Sequence, residues 1–210
     1  MKIGFKYKIL AKIYDLLDTI YFRKKKTSPR QAVVELLSRD DLMILDICTG
    51  TATNAINIAK SFKSTKVIGI DVSKDMLLIA KKKINRSNVD NMDLQLMNAT
   101  NLKFKSNEFD CVIISLVLHE MRKNLAEQIL SEVKRVVKEN GKIIVVEWET
   151  PSEKSIWKRL LFNIIHIMEP DGFKDFLKMD LKGYFKNYGL IIEDEKHCDF
   201  CTVLKLKRSL

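Results

Sequence analysis

Ile44-Leu-Asp-Ile-Cys-Thr-Gly-Thr-Ala52, followed by Lys66-Val-Ile-Gly-Ile-Asp71, carries the strongest structural signal in the chain. Met43, Ile44, Leu45 and Ile47 are strand formers, the small residues from Cys48 to Ala52 interrupt them, and Ala55, Ile56, Ile58, Ala59 and Phe62 then recur at helical spacing. The order is strand, turn, helix. In a parallel sheet such a turn stands at the carboxyl end of the strand, where small residues admit a ligand to the backbone and the helix offers its free amides. The second strand ends in Asp71, about twenty residues after the turn, the spacing at which an acid accepts hydrogen bonds from both ribose hydroxyls. Alone, Asp71 reads equally well as an acid capping the next helix. With the turn, it reads as half of a nucleotide-cofactor cradle.

Outward from this unit, strands and helices alternate. The patterns predict strands at 43–47, 66–70, 93–97 and 109–115, with helices at 53–62 and 73–84. A helix over about 122–138 carries Ile129, Leu130, Val133, Val136 and Val137 on one face, and the turn Glu139-Asn-Gly141 leads into a strand from Lys142 to Glu147. Alternation of this kind implies a parallel sheet wrapped by helices. Upstream, Ile9, Ile13, Leu16, Leu17, Ile20 and Tyr21 form a helical face, and Ser28-Pro29 starts a helix with Ala32, Val33, Leu36 and Leu37 inward. Downstream, Trp157, Leu160, Leu161, Ile164, Ile165 and Met168 share a face that either packs on the core or lines an apolar pocket. Leu190 to Glu195 and Thr202 to Leu206 read as a hairpin at the sheet edge. One domain over 1–210 is expected: a helical lid at 1–40, a cofactor-binding core at 42–148, a substrate-side helical insertion at 149–189 and a terminal hairpin at 190–210.

With 210 residues, 46% of them hydrophobic, and only 7 Gly and 3 Pro, the chain can bury one full α/β core. The net charge of +10 and the runs Arg23-Lys-Lys-Lys26 and Lys81-Lys-Lys83 raise the question of a polyanion partner. Lysines are spread over nearly every element, however, and no arginine-rich cluster is interleaved with aromatics, so the charge reads as solvated surface and nucleic acid is not the expected partner. No apolar run approaches the roughly 20 residues that span a bilayer, and no signal-peptide pattern opens the chain, so a cytoplasmic location is expected. Lys154, Lys158 and Arg159 lie along an apolar helix, which leaves peripheral contact with anionic lipid open. Cys198-Asp-Phe-Cys201 lacks the second pair or the histidines of a zinc site, so no metal is expected. The pair is expected within a strand, its thiols on opposite faces. With Cys48 and Cys111 in apolar surroundings, all four cysteines read as reduced structural thiols.

These residues resemble the class I S-adenosylmethionine-dependent methyltransferases, and among them the type 11 group that includes the ubiquinone and menaquinone C-methyltransferases. The resemblance spans roughly 42–148. The family's acid followed by alternating glycines is matched by Asp46-Ile-Cys-Thr-Gly-Thr-Ala52, and its post-motif acid by Asp71, with Ser73 and Met76 at the usual offsets. Asn98-Ala-Thr-Asn-Leu-Lys-Phe104 resembles the next motif, Phe109 to Met121 the fourth-strand motif, and Val136 to Gly141 the turn before strand five. The family has a seven-stranded Rossmann-like sheet, mostly parallel, with an antiparallel last strand and helices on both faces. By resemblance, Asp46 organises the turn and helps hold the methionine portion, with the backbone of Cys48, Thr49 and Gly50 against it. Asp71 holds the ribose, Val72 and Met76 sandwich the adenine, Asn98 and Ala99 read its edge, and Ser115 and Leu116 border the sulfonium. S-adenosyl-L-methionine is the implied cofactor, with S-adenosyl-L-homocysteine as product.

The chain departs from the family where Cys48 and Ala52 replace the first and third glycines, Asn98 replaces an acid, and Glu139-Asn-Gly141 replaces Pro-Gly-Gly. Each added Cβ restricts positive φ and close approach of a ligand. Methyl transfer from a sulfonium is an in-line displacement driven mainly by alignment in a dry pocket. His119 either serves as a general base or, with Glu120, caps the following turn, and Glu147 and Glu149 are alternative acids on the same rim. Tyr14-Asp15 matches a Tyr-Asp pair of the quinone methyltransferases, and a tyrosine face over a sulfonium is favourable by about 0.5–2 kcal/mol. Equally, Tyr14 and Tyr21 pack the helix onto the sheet. The acceptor expected is a small, hydrophobic or quinone-like molecule. An RNA methyltransferase is the enzyme alternative, although Ser115-Leu-Val-Leu118 stands where base-amine methylases carry Asn/Asp-Pro-Pro-Tyr/Phe. The altered glycines motivate a third reading, a non-catalytic S-adenosylmethionine-binding protein.

Overall fold

A computed structural model describes residues 27–151, 156–168 and 172–209. In chain order these form α1 (Pro29–Leu37), β1 (Met43–Ile47), α2 (Thr53–Ser61), β2 (Lys66–Asp71), α3 (Lys74–Ser87), β3 (Met92–Leu96) and β4 (Phe109–Ser115). A 3₁₀ turn at Leu118–Glu120 leads to α4 (Lys123–Val136) and β5 (Val137–Trp148). Then come α5 (Ile156–Met168), α6 (Phe173–Phe176), α7 (Leu181–Asn187), β6 (Leu190–His197) and β7 (Cys201–Arg208). The helices begin and end where local chemistry dictates. Pro29 opens α1, whose last turn closes on Ser38 at φ 57°, and the Ser73 hydroxyl caps α3 by accepting from Met76 N at 3.3 Å.

The strands join one sheet in the order β3-β2-β1-β4-β5-β7-β6. β1 pairs in parallel with both β2 and β4, whereas β7 runs antiparallel to β5 and β6. Alternate side chains feed two apolar layers. Ile44, Ile113 and Val146 pack with α1, α2 and α5. Leu45, Ile47, Val112, Ile114 and Val145 pack beneath α4 and α7. The central strands carry apolar residues on both faces, as a sheet covered on both sides requires. The helix α1 contributes Ala32, Val33, Leu36 and Leu37 to the first layer, so the helix starting at Pro29 belongs to the core.

The hairpin places Cys198 and Cys201 differently from expectation. They do not lie within one strand; they flank the turn between β6 and β7, where Cys198 N donates to Cys201 O at 2.7 Å. Side chains three apart diverge along a strand, but a tight turn folds the backbone and opposes them. Both are free thiols, and burial pushes Cys198 up to about 11 and Cys201 well above the ordinary range. Among the described residues, no group of three His, Cys, Asp or Glu side chains is arranged to hold a metal ion, and no helix is long and apolar enough to cross a membrane. The face expected on α5 is corrected at two of its residues. Leu160 and Ile164 are 52% and 47% exposed. Leu161 of that face does pack against the core, and next to it Phe162, which the expected face left out, is buried in ring contact with Phe173 and Phe200 at centroid distances of 6.4 Å. Lys158 is held by Asp199, Nζ to Oδ1 at 3.1 Å. Tyr14, Tyr21 and the helical face from Ile9, together with Lys154 and the side chains of Trp157, Ile165 and Met168, lie outside what the structure describes.

The passage from α4 into β5 is tighter than the pattern predicts: the helix ends at Val136 and the strand begins at Val137. Phe109 pairs with Val137 and Cys111 with Lys142, so residues 138–141 bulge out of the ladder. Gly141 allows this return, because a Cβ there would stand 2.7 Å from Val137 Cγ2 and 3.0 Å from the Asp110 carbonyl oxygen. Gly141→Ala is expected to cost about 1–3 kcal/mol by overpacking, read as a lower urea midpoint with an unchanged slope.

Candidate active site

Strand order reverses between β1 and β4, and the carboxyl ends of the two strands open a crevice at that switch point. The turn Cys48–Ala52 forms its floor. Cys48, Gly50 and Ala52 all adopt left-handed backbone, at φ 55°, 56° and 60°. The two departures from glycine therefore keep the alternating left-handed conformation despite their Cβ atoms, a strain of about 1–2 kcal/mol each. The surroundings hold them there. Thr49 N donates to Ile70 O at 2.9 Å and Ala52 N to Thr49 O at 2.8 Å. Thr49 Oγ1 donates to Asp46 Oδ2 at 2.5 Å and Gly50 N to Asp71 Oδ2 at 2.9 Å. From α3, Lys83 Nζ donates to both Thr51 and Thr53 Oγ1 at 2.8 Å.

Asp46 is 2% exposed. Burial pushes its carboxyl up to about 7, against the Thr49 hydrogen bond and with the Asp71 charge adding to the rise. Its Oδ1 is buried without a hydrogen-bond partner. Pairing of Asp46 with Ile113 puts both on one face of the sheet, the face carrying α2. Asn54, in the first turn of α2, donates from Nδ2 to Ser115 Oγ at 3.2 Å, while its Oδ1 is also buried without a partner. Buried acceptors of this kind fit a ligand that brings its own N–H donors.

Asp71 is not the cap of the following helix; Ser73 is. The Asp71 carboxylate instead joins two loops, accepting from Gly50 N through Oδ2 and from Ser73 N through Oδ1 at 2.7 Å. Each oxygen retains a second lone pair for a ligand hydroxyl. Val72, directly after β2, is an aliphatic side chain left 67% exposed at the crevice, and Met76 lies half-buried in the first turn of α3. Asn98 is exposed after β3, its Oδ1 accepting from Thr100 N at 3.0 Å, and Ala99 beside it is buried. Ser115 ends β4, and Leu116 turns away at φ 53° with its N–H bonded to Val146 O at 2.8 Å. All eleven positions expected to bind the cofactor thus sit at or just beyond the carboxyl ends of β1 to β4.

His119 and Glu147 form a separate buried pair. His119 Nδ1 lies 2.7 Å from Glu147 Oε2, and Glu147 Oε1 accepts from Val117 N at 3.1 Å and Leu118 N at 2.7 Å. Glu147 is therefore inside β5 and fully buried, not an acid on the rim. The His119 side chain is 1% exposed, with the rings of Phe173 and Phe176 edge-on to it at 5.4 and 5.9 Å. Glu149 does reach the surface, where it pairs with His197 Nδ1 at 2.9 Å and raises that imidazole's pKa. Asn54 and Lys83 escaped the sequence reading. A lysine facing back toward the turn carries no sequence mark, but an asparagine in a first helical turn, where its side chain competes with the backbone, is a detectable signal.

The left-handed turn predicts an asymmetric mutational response. Cys48→Gly and Ala52→Gly should each change stability by less than about 1 kcal/mol, since relief of strain is offset by chain entropy and lost contacts. Cys48→Val and Ala52→Val should cost about 2 kcal/mol or more, because β-branched residues resist positive φ. Chemical denaturation of the four variants checks both halves.

Residues 44–141 match the family described as "Methyltransferase domain". The demethylmenaquinone methyltransferase of Oceanobacillus iheyensis is 32% identical over 196 residues, covering 92% of this chain and 78% of that protein. That of Halalkalibacterium halodurans is 30% identical over 177 residues, 83% of this chain and 69% of its own. Among solved structures, an S-adenosylmethionine-dependent methyltransferase from Aquifex aeolicus aligns with a TM-score of 0.72 at 17% identity, covering 98% of each chain. The [4+2]-cyclase SpnF aligns with a TM-score of 0.63 at 16% identity, covering 85% of this chain and 80% of its own. Fold likeness therefore does not select the reaction, and the closer sequence relatives carry that decision. With their support, the chain belongs to the class I S-adenosylmethionine-dependent methyltransferases, the family that includes the demethylmenaquinone methyltransferases, and S-adenosylmethionine is its methyl donor.

Proposed function

We propose that this enzyme methylates a small, hydrophobic, quinone-like acceptor presented at the carboxyl end of β4. The carrying observation is that likeness to the Oceanobacillus iheyensis demethylmenaquinone methyltransferase extends over 92% of the chain, well beyond the shared domain at 44–141. Acceptor choice resides in those outer segments, since the sheet edge serves the donor. Phe162, Phe173 and Phe200 form a buried aromatic cluster that supports that side from beneath. A cleft of about 1000 Å³ beside Leu118 to Met121, with Phe176, Met179 and Tyr184 in its lining, supplies room next to it.

S-adenosylmethionine supplies an electrophilic methyl group on a sulfonium. The residues around it bind and orient. In this reading Asp46 receives the ammonium group, the backbone of Cys48, Thr49 and Gly50 lies along the methionine portion, and Asp71 takes the ribose hydroxyls. Val72 and Met76 flank the adenine, Asn98 and Ala99 meet its edge, and Ser115 and Leu116 border the sulfonium. The exposed Val72 and the unpaired Asp46 Oδ1 support these roles, and the preserved left-handed turn supports binding despite Cys48 and Ala52. His119 acts as a positioning residue. Its ring lies edge-on to Phe173 and Phe176 with Nδ1 on Glu147 Oε2, which seats α6 beside the site, while Nε2 lies 3.9 Å from Glu120 Oε1 at the border of the cleft.

Transfer of a labelled methyl group from S-adenosylmethionine to a demethylated naphthohydroquinone tests the acceptor. Product methylated on the ring is expected, with activity lost in Asp71→Ala; label entering RNA alone would overturn the proposal.

Asp46 adds a pH dependence with a definite sign. Its folded pKa of about 7 lies above the ordinary 3.8, so the free fold binds the proton more tightly and loses stability as pH rises through that window. The ammonium prefers the ionised carboxylate, so donor affinity should rise across the same window and level off above about pH 7. Binding should release a proton near pH 6, visible as a buffer-dependent calorimetric enthalpy. Asp46→Asn should abolish that dependence.

A further inference from the structure

Two unpartnered acceptor oxygens and one set of amide donors lie on the α2 side of the sheet, at the carboxyl ends of β1 and β4. Asp46 Oδ1 and Asn54 Oδ1 are both buried without partners. The helix α2 starts beside them with no side-chain cap, its first residue following the left-handed Ala52, so its first-turn amides and positive dipole end stand at the same place. A group bearing both charges satisfies both needs: an ammonium for the oxygens and a carboxylate for the helix end. Neither ribose nor adenine has that polarity.

We propose that Asn54 is a specificity-determining contact for the amino-acid end of the methyl donor, its Oδ1 accepting from the ammonium together with Asp46. The hydrogen bond from Asn54 Nδ2 to Ser115 Oγ turns the amide so that the oxygen is presented. That bond also ties the amino-acid head of the donor to the end of β4, next to the left-handed Leu116. The inference rests on the donor occupying the β1–β4 crevice and is independent of the acceptor.

The test compares S-adenosylhomocysteine with 5′-methylthioadenosine, which lacks the amino-acid end, by calorimetric titration of the whole chain. Asn54→Ala should weaken S-adenosylhomocysteine by about tenfold or more while leaving 5′-methylthioadenosine within about twofold. Asn54→Ser, which keeps a small polar side chain, answers the same question if the alanine variant does not fold. Equal losses for both ligands would assign Asn54 a merely structural role and overturn the proposal, as would unchanged affinity for S-adenosylhomocysteine. No acceptor is present, so failure to methylate a quinone would leave this result standing.

Discussion

The hydrogen bond from Gly50 N to Asp71 Oδ2 is the constraint on which the ligand-binding edge depends. It joins the turn after β1 to the end of β2, and Thr49 N on Ile70 O repeats the connection one residue earlier. Together they fix a backbone with three left-handed positions, two of them occupied by residues that resist such φ values. The strain persists because partners from several elements over-determine the turn, including Lys83 from a helix 30 residues away along the chain. A single acid thus ties both loops while each of its oxygens keeps a second lone pair.

Alternation along the strands then distributes the polar groups. Asp46, Ser115 and Asn54 gather on the α2 side, whereas Glu147 and His119 belong to the α4 and α7 side. Two of the buried carboxyl groups, Glu147 and Asp46, are satisfied differently. Glu147 accepts from two backbone amides and an imidazole, while Asp46 keeps one oxygen unpaired and its pKa raised. A carboxylate in the first state is a structural clasp. One in the second is poised for a cation, which compensates its desolvation on binding.

Much of this is legible in the residue pattern alone. The strand at Met43–Ile47 and the helix from Thr53 stand where their periodicity puts them, since a 3.6-residue and a 2-residue repeat are local properties of the chain. The antiparallel hairpin at the edge was legible for the same reason. Legibility failed where a turn or a packing partner intervened. Cys198 and Cys201 look like strand residues until the turn between them opposes them. On α5, the apolar pattern does not separate the exposed Leu160 and Ile164 from the inward Leu161 and Phe162; for Phe162 the neighbours Phe173 and Phe200 decide it.

The order of elements, the doubly wound class and the small-residue turn with its distant acid follow from the residue pattern alone, because these depend on periodicity, on small residues at a turn and on an acid at a set spacing. Tertiary structure decided that Cys48 and Ala52 still adopt the glycine conformation, that Asn54 reaches Ser115 across 61 residues of chain, and that Glu147 lies inside the sheet instead of on its rim. These outcomes turn on which buried groups find partners. That depends on contacts between residues distant in sequence, and no local pattern encodes them.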